Sequence, residues 1–248
     1  MSRTLAVIPA RLASSRFPNK PLKMILGIPM IAHCYYRALL CKNVDKLILA
    51  TPDKEIIELS NQLGFQAIMT SDKHERATER ACEVLDILKS DGQLYDNVLL
   101  LQGDEPQINP ETIDQLIKEI TESNNDVINL IHPIENEDLI DTNIVKAIIN
   151  FSRTAIPANG KSGFRQLGMI AFKTNGLEKF SQLKPSKHEI IESIDMMRFL
   201  DNDIKIGSFL THEVITGVDE EHHIGEVEKK MKNDIFFNKY ILSYERSI

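Results

Sequence analysis

The sequence predicts an α/β protein built on a mostly parallel sheet with an antiparallel extension. Through the first half, short apolar runs alternate with amphipathic helical stretches, the pattern of strands joined by crossover helices. Glycine, proline and charged residues gather where those runs end, and open α/β sheets bind ligands at that carboxyl edge. From Asp126 the alternation weakens and apolar runs follow one another with less helix between them, which reads as antiparallel pairing laid against the first half. The expected organisation is one domain over 1–248, with one half over about 1–125, a second over about 126–220, and a C-terminal helix over 221–248.

A chain of 248 residues in one such domain buries roughly three-quarters of its unfolded surface. Charged residues at 26% and hydrophobic residues at 42% are those of a soluble globular protein. A net charge of −7 argues against a general binder of nucleic acid or of anionic membranes, so a local basic cluster points to a small anionic ligand. Cys34, Cys41 and Cys82 lack metal-site spacing and read as reduced core or helix residues. The N-terminal apolar run breaks at Pro9 and Arg11, with no secretory signal pattern. No apolar stretch approaches the ~20 residues of a membrane span. The expected location is the cytoplasm.

Leu5–Pro9 is an apolar run suited to a central strand, and the loop after it carries Arg11, Arg16 and Lys20 separated by small residues, among them Ala13, Ser14 and Ser15. Guanidinium forks and an ammonium so closely spaced suit a polyphosphate, against the alternative of a solvated charged face. Gly27 and Pro29 mark a turn before a helix over Met30–Leu40; Lys46–Thr51 is a strand, and Asp53–Leu63 a helix closed by Gly64. Phe65–Thr70 is a third strand. Thr70–Arg80 then leads into a helix with Ala81, Val84, Leu85 and Leu88 on its apolar face. Thr78 and Arg80 fall where a helix start can meet a phosphate or a base edge, although Glu75, Arg76 and Arg80 also read as surface charges.

Val98–Leu101 is an apolar strand ending in Gln102, Gly103, Asp104, Glu105 and Pro106. A carboxylate just past a buried strand is a turn residue or a ligand for Mg²⁺; the arginine-bearing loop on a neighbouring strand favours the metal. Asn109 or Pro110 opens a helix over Glu111–Glu122, and Val127–Ile131, Ile144–Ile149 and Ile204–Leu210 follow as strands. Pro185–Leu200 reads as one helix burying Ile190, Ile191, Ile194 and Met197, with Glu189, Glu192, Asp195 and Arg198 on the other side as a self-paired or ligand-facing row. A terminal helix is expected over Glu221–Tyr240. His222 and His223, adjacent at a helix start, do not converge on one ion. No glycine fingerprint for a dinucleotide follows the first strand.

Three segments carry a family likeness: IPARLASSRFPNKPL from Ile8 to Leu22, QGDEP from Gln102 to Pro106, and TGVD from Thr216 to Asp219. From residue 5 to about residue 228 the chain resembles the 3-deoxy-manno-octulosonate cytidylyltransferases. The resemblance implies a Rossmann-like, GT-A-like nucleotidyltransferase sheet whose antiparallel extension binds sugar and dimerises. It implies the reaction of CTP with the acidic sugar 3-deoxy-manno-octulosonate (Kdo) to give CMP-Kdo and diphosphate, for lipopolysaccharide or capsule synthesis, with Mg²⁺ as cofactor and a homodimer as the assembly. Arg11, Arg16, Lys20 and Asp104 are its implied catalytic residues. Ala10, Arg11, Ser14, Thr78, Arg80 and Gln102 are implied for the nucleotide, and Gln102, Arg153, Gln166, Glu189 and Glu192 for the sugar. Asp104 and Asp219 are the implied metal ligands.

The likeness has departures. Thr78, Glu79 and Arg80 match the family loop SGTER, but Arg76 stands for its serine and Ala77 for its glycine. Gln166 stands where the family has histidine, the loops around Phe151–Pro157 and Ala158–Lys161 are shorter, and Glu220 to His223 replace the family's TPED. These changes leave open the same transfer to a modified acceptor, such as 8-amino-Kdo or another ulosonate. A non-catalytic nucleotide-binding relative is the alternative of another class.

Overall fold

The protein is described here as a computed structural model, covering residues 2–13, 17–134, 137–139, 141–147, 150–156, 163–213 and 215–247. In chain order the elements are β1 (Thr4–Pro9), β2 (Met24–Ile25), β3 (Ile28–Pro29), α1 (Met30–Leu39), β4 (Lys46–Thr51), α2 (Lys54–Leu63), β5 (Ala67–Met69), α3 (Ala77–Ser90), β6 (Asn97–Leu100) and α4 (Pro110–Glu122). The second half holds β7 (Val127–Pro133), β8 (Lys146–Ala147), β9 (Phe151–Ser152), β10 (Phe164–Lys173), α5 (Thr174–Gln182), α6 (Lys187–Glu192), α7 (Met196–Leu200), β11 (Ile206–Leu210), α8 (His222–Met231) and α9 (Phe237–Glu245). Among the described residues no helix is long and apolar enough to cross a membrane.

The main sheet runs β11-β7-β10-β6-β1-β4-β5, with β8 and β9 hung from β10. β1 pairs in parallel with β4 and β6, and β7 in parallel with β11. The expected antiparallel part is centred on β10, which runs against β6, β7 and β8. Period-two alternation sorts the core into two faces. Ala6 and Ile8 face the layer that includes α1, α2 and α4, whereas Leu5 and Val7 face α3, α5 and α7. All the parallel strands therefore point their carboxyl ends at one edge, where the charged loops emerge.

Two expected helices are each broken. The stretch from Pro185 to Leu200 is α6 and α7, separated at Ser193, whose φ of 56° is left-handed and stops a helix. The break turns Ile190 and Ile191 outward, 64% and 65% exposed, and leaves Ile194 and Met197 buried. It also turns Glu189 inward, 1% exposed, onto Arg198: Nε donates to Oε2 at 2.7 Å and Nη2 to Oε1 at 2.6 Å.

The expected terminal helix is α8 and α9. Between them, Asp234 caps α9 through the N–H groups of Phe236 (2.7 Å) and Phe237 (3.3 Å) and pairs with the buried Arg37 of α1. A continuous helix could not bring a carboxylate to that guanidinium and also lay Tyr240 on α1, where Tyr240 stacks on Tyr36 with ring centroids 5.5 Å apart. Of the strand expected over Ile144–Ile149, β8 covers Lys146 and Ala147; residues 148 and 149 lie outside the described residues.

Candidate active site

β1 ends on Pro9, and the next backbone N–H, of Ala10, continues onto β4 by donating to Ala50 O at 2.9 Å. Asp53, just past β4, accepts from Leu12 N at 2.7 Å, and Asn19 N closes the loop by donating to Leu12 O at 3.2 Å. Asn19 has a positive φ of 57°, which delivers Lys20 into a short 3-10 turn aimed back at the sheet. Arg16 and Ser14 lie outside the described residues.

Gly103 lets the loop after β6 lie directly against β1. A Cβ there would stand 2.9 Å from both Pro9 O and Ile31 Cδ1, so a side chain would push the loop away. The next residue, Asp104, accepts from Lys20 Nζ at 2.6 Å, and Asp219 Oδ1 lies 3.8 Å from the same ammonium. Val218 N donates to Asp104 O at 2.9 Å, stitching the two carboxylate-bearing loops together. His223 Nδ1 accepts from the N–H groups of Asp219 (3.1 Å) and Glu220 (3.2 Å), so this histidine braces the aspartate's loop. The two carboxylates thus converge on one cation, half open to solvent.

Two cavities meet at this point. One, of about 360 Å³, is lined by Ala10, Arg11, Lys20, His74, Arg76, Arg80, Gln102, Asp104 and Asp219. Its cationic rim suits a polyphosphate. The second, of about 290 Å³, is lined by Gln102, Glu105, Arg153, Arg165, Gln166, Gly168, Asp195 and Asp219. Gln102 and Asp219 belong to both, so a ligand group in one cavity can touch a group in the other at the paired aspartates. The arrangement can hold a charged nucleotide and a polar acceptor end to end.

Several residues expected at the ligand also bond to the elements around the cavities. Thr78 is buried and its hydroxyl donates to Asp195, tying α3 to the α6–α7 turn. Arg80 lines the first cavity while its guanidinium bonds Thr70 and Ser71 O. Arg153 donates to the carbonyls of Thr142 (3.2 Å), Asn143 (3.2 Å), Glu192 (3.1 Å) and Ser193 (3.4 Å). Glu192 accepts from Arg153 N at 2.9 Å, and Glu189 is held by Arg198. Glu189 and Glu192 line neither cavity.

Other residues at the site carried no such expectation. His74 lines the nucleotide-sized cavity, with Nε2 2.6 Å from Glu83 Oε2. Arg76 lines it too and reaches Ser193 O and Oγ, both at 3.4 Å. Glu105 and Arg165 face the second cavity. Burial, with Asp104 beside it, raises the Glu105 carboxyl to about 8. Its Oε1 accepts from Gly168 N at 3.0 Å, at the irregular register of β10 between Gln166 and Ile170. Nothing in the periodicity of these residues marks them, because their significance arises from neighbours distant in sequence.

The chain matches the family model described as Cytidylyltransferase over residues 5–206. It is 37% identical to the 3-deoxy-manno-octulosonate cytidylyltransferase of Thermodesulfovibrio yellowstonii, over 91% of this chain and 97% of the relative. It is 34% identical to the enzyme of that name from Escherichia coli, over 96% of this chain and 100% of the relative. A solved structure of CMP:2-keto-3-deoxy-manno-octonic acid synthetase complexed with CTP superimposes with a TM-score of 0.85 at 33% identity, covering 93% of this chain and 99% of the other. A glucose-1-phosphate thymidylyltransferase from Bacillus anthracis, at 16% identity and a TM-score of 0.69, shares the fold.

Proposed function

This chain belongs to the cytidylyltransferase family, and from that premise we propose that it joins CMP from CTP to Kdo, releasing diphosphate. The observation that carries the reading is the convergence of Asp104 and Asp219 on Lys20 where the two cavities meet. In the reaction the acceptor's anomeric hydroxyl attacks the α-phosphorus in line; its oxygen–phosphorus bond forms as the bond from the α-phosphorus to the bridging oxygen breaks.

The donor set fits Mg²⁺. Two hard carboxylates from adjoining loops already face a common cation, and Mg²⁺ is commonly held by one or two carboxylates with phosphates and water completing its shell. Asp104 and Asp219 would hold it, and when bound it would neutralise phosphate charge and acidify the attacking hydroxyl. Arg11 and Lys20 bind the triphosphate and fix its orientation. Lys20 offsets the charge that grows on departing diphosphate. Gln102, shared by both cavities, positions the acceptor next to the nucleotide.

A second reading, the same transfer to another ulosonate such as 8-amino-Kdo, is favoured by Gln166, which takes the place of a histidine in the family's strand and donates to Asn129 Oδ1 at 3.1 Å. A cytoplasmic homodimer feeding lipopolysaccharide or capsule synthesis completes the proposal and rests on the family likeness; light scattering at working concentration reports the assembly. The test of function is diphosphate release from CTP and Mg²⁺ with a panel of ulosonic acids. Release with Kdo supports the first reading, and release with another acid alone supports the second. CTP binding without release for any acid overturns both and leaves a nucleotide-binding relative.

A further inference from the structure

The acceptor cavity contains two polar groups whose bonding is incomplete. Among the described residues, Glu105 Oε2 and Arg165 Nε are buried side-chain atoms without a hydrogen-bond partner, and both residues line this cavity. An unmet buried donor or acceptor costs about 1–3 kcal/mol, and such atoms are rare enough in folded proteins that each calls for an explanation. Two in one cavity have a common one: a polar ligand that meets both.

The surrounding groups narrow the choice. Arg153, the other guanidinium lining this cavity, is engaged by backbone carbonyls, whereas Arg165 pairs with Asp138 at 3.3 Å. Glu105 is held in place through Oε1 by Gly168 N, which leaves Oε2 as the oxygen not already engaged. Gly168 is required for that approach, since a Cβ would lie 2.2 Å from Gln102 Cγ and 2.6 Å from Glu105 Oε1. The bulged strand therefore brings Gln102, Glu105 and Arg165 to one wall.

We propose that Arg165 and Glu105 bind the acceptor, the Arg165 guanidinium taking an anionic oxygen of the acid and Glu105 Oε2 a hydroxyl. The assignment rests on the cytidylyltransferase reading and locates recognition of the acid on β10 and the loop after β6. A guanidinium recognises a carboxylate through directed paired donors, and a buried carboxyl, which can donate or accept, suits a sugar hydroxyl, which can do either. The acceptor class that follows is a polyhydroxy acid whose carboxylate and hydroxyl reach the same wall.

The test compares Kdo with its carboxamide in steady-state diphosphate release, for wild type, Arg165→Met, Arg165→Lys and Glu105→Gln, with CTP affinity measured separately by calorimetry. The expected result for Arg165→Met is an increase of about 10-fold or more in the KM for Kdo, with CTP affinity within about twofold and little change in KM for the carboxamide. Arg165→Lys, which keeps the charge and loses the fork, falls between; it also decides the case if Arg165→Met fails to bind CTP. Glu105→Gln raises the KM for both acceptors, since the hydroxyl is common to them. An unchanged KM for Kdo in a variant that binds CTP, or equal losses for Kdo and carboxamide in Arg165→Met, overturns the proposal while leaving the transferase reading intact. Wild type that releases no diphosphate with any ulosonic acid overturns both.

Discussion

At the scale of single residues, the site depends on groups that the chain brings together from separate strand ends. Lys20, Asp104 and Asp219 are far apart in sequence, and the Val218–Asp104 backbone bond keeps their side chains in register. Asp104→Asn is expected to lower kcat by about 100-fold or more, on the scale seen when a charge-stabilising group is removed, with the fold retained by circular dichroism. Wild-type kcat in that variant would remove Asp104 from the mechanism. Gly168→Ala is expected to cost about 1–3 kcal/mol of stability through overpacking, and to raise the acceptor's KM more than that of CTP, because its new methyl would meet Gln102 and Glu105. Denaturant unfolding and the two KM values check both parts. Arg11, Lys20 and Asp104 were readable as candidates because charged residues past apolar strands have a known place at a sheet edge, whereas Asp219 was marked by the family likeness alone. Glu105 and Arg165 were not, because an unmatched hydrogen-bonding atom has no one-dimensional signature.

At the scale of elements, strands were the more legible part. Lys46–Thr51 appears with the boundaries its apolar pattern predicts. The helix expected from Pro185 to Leu200 is broken because Ser193 adopts a left-handed conformation that no glycine or asparagine announces, and because Arg198 draws Glu189 inward. The apolar period misassigned Ile190 and Ile191 to the core, as a local pattern cannot register a buried ion pair formed across the turn. Glu189→Ala takes the bidentate partner from the Arg198 guanidinium, 3% exposed, and leaves it Glu79 Oε1 at 3.1 Å. The expected loss is about 1–3 kcal/mol, read as a lower urea midpoint. Glu189→Ala combined with Arg198→Met is expected to recover much of it, since the stranded charge goes too. An unchanged midpoint in Glu189→Ala would show that the pair does not organise the turn.

At the scale of the whole molecule, the C-terminal segment clamps α1. Ile25 O can only accept, so His33 Nε2 at 2.8 Å carries the proton, and Nδ1 accepts from Tyr240 Oη at 2.7 Å. His33 is therefore neutral in the fold. Burial lowers its pKa from 6.5 to about 4; Arg37 adds to the depression, and Asp234 and the carbonyl bonds oppose it. In the unfolded chain the imidazole takes up a proton below its ordinary pKa while the folded one does not, so stability is full above pH 6.5 and is lost as pH falls toward 4. The loss between pH 7 and pH 5 is about 2 kcal/mol from this residue. Urea unfolding at the two pH values measures it, and His33→Gln should flatten the dependence; an equally steep dependence in that variant would assign it elsewhere. The fold class follows from the succession of apolar runs, whereas the docking of α9 on α1 depends on Asp234 meeting Arg37 across the chain.

The proposed role of Asp104 and Asp219 is to mark the place where CMP is joined to an acidic sugar. Phosphorus NMR of CTP incubated with Mg²⁺ and a ulosonic acid tests it most directly. Wild type is expected to produce a sugar phosphodiester signal and diphosphate in equal amounts, and Asp104→Asn to leave CTP largely unconverted. CTP left intact by wild type with every ulosonic acid offered, or conversion by Asp104→Asn at the wild-type rate, would contradict the account.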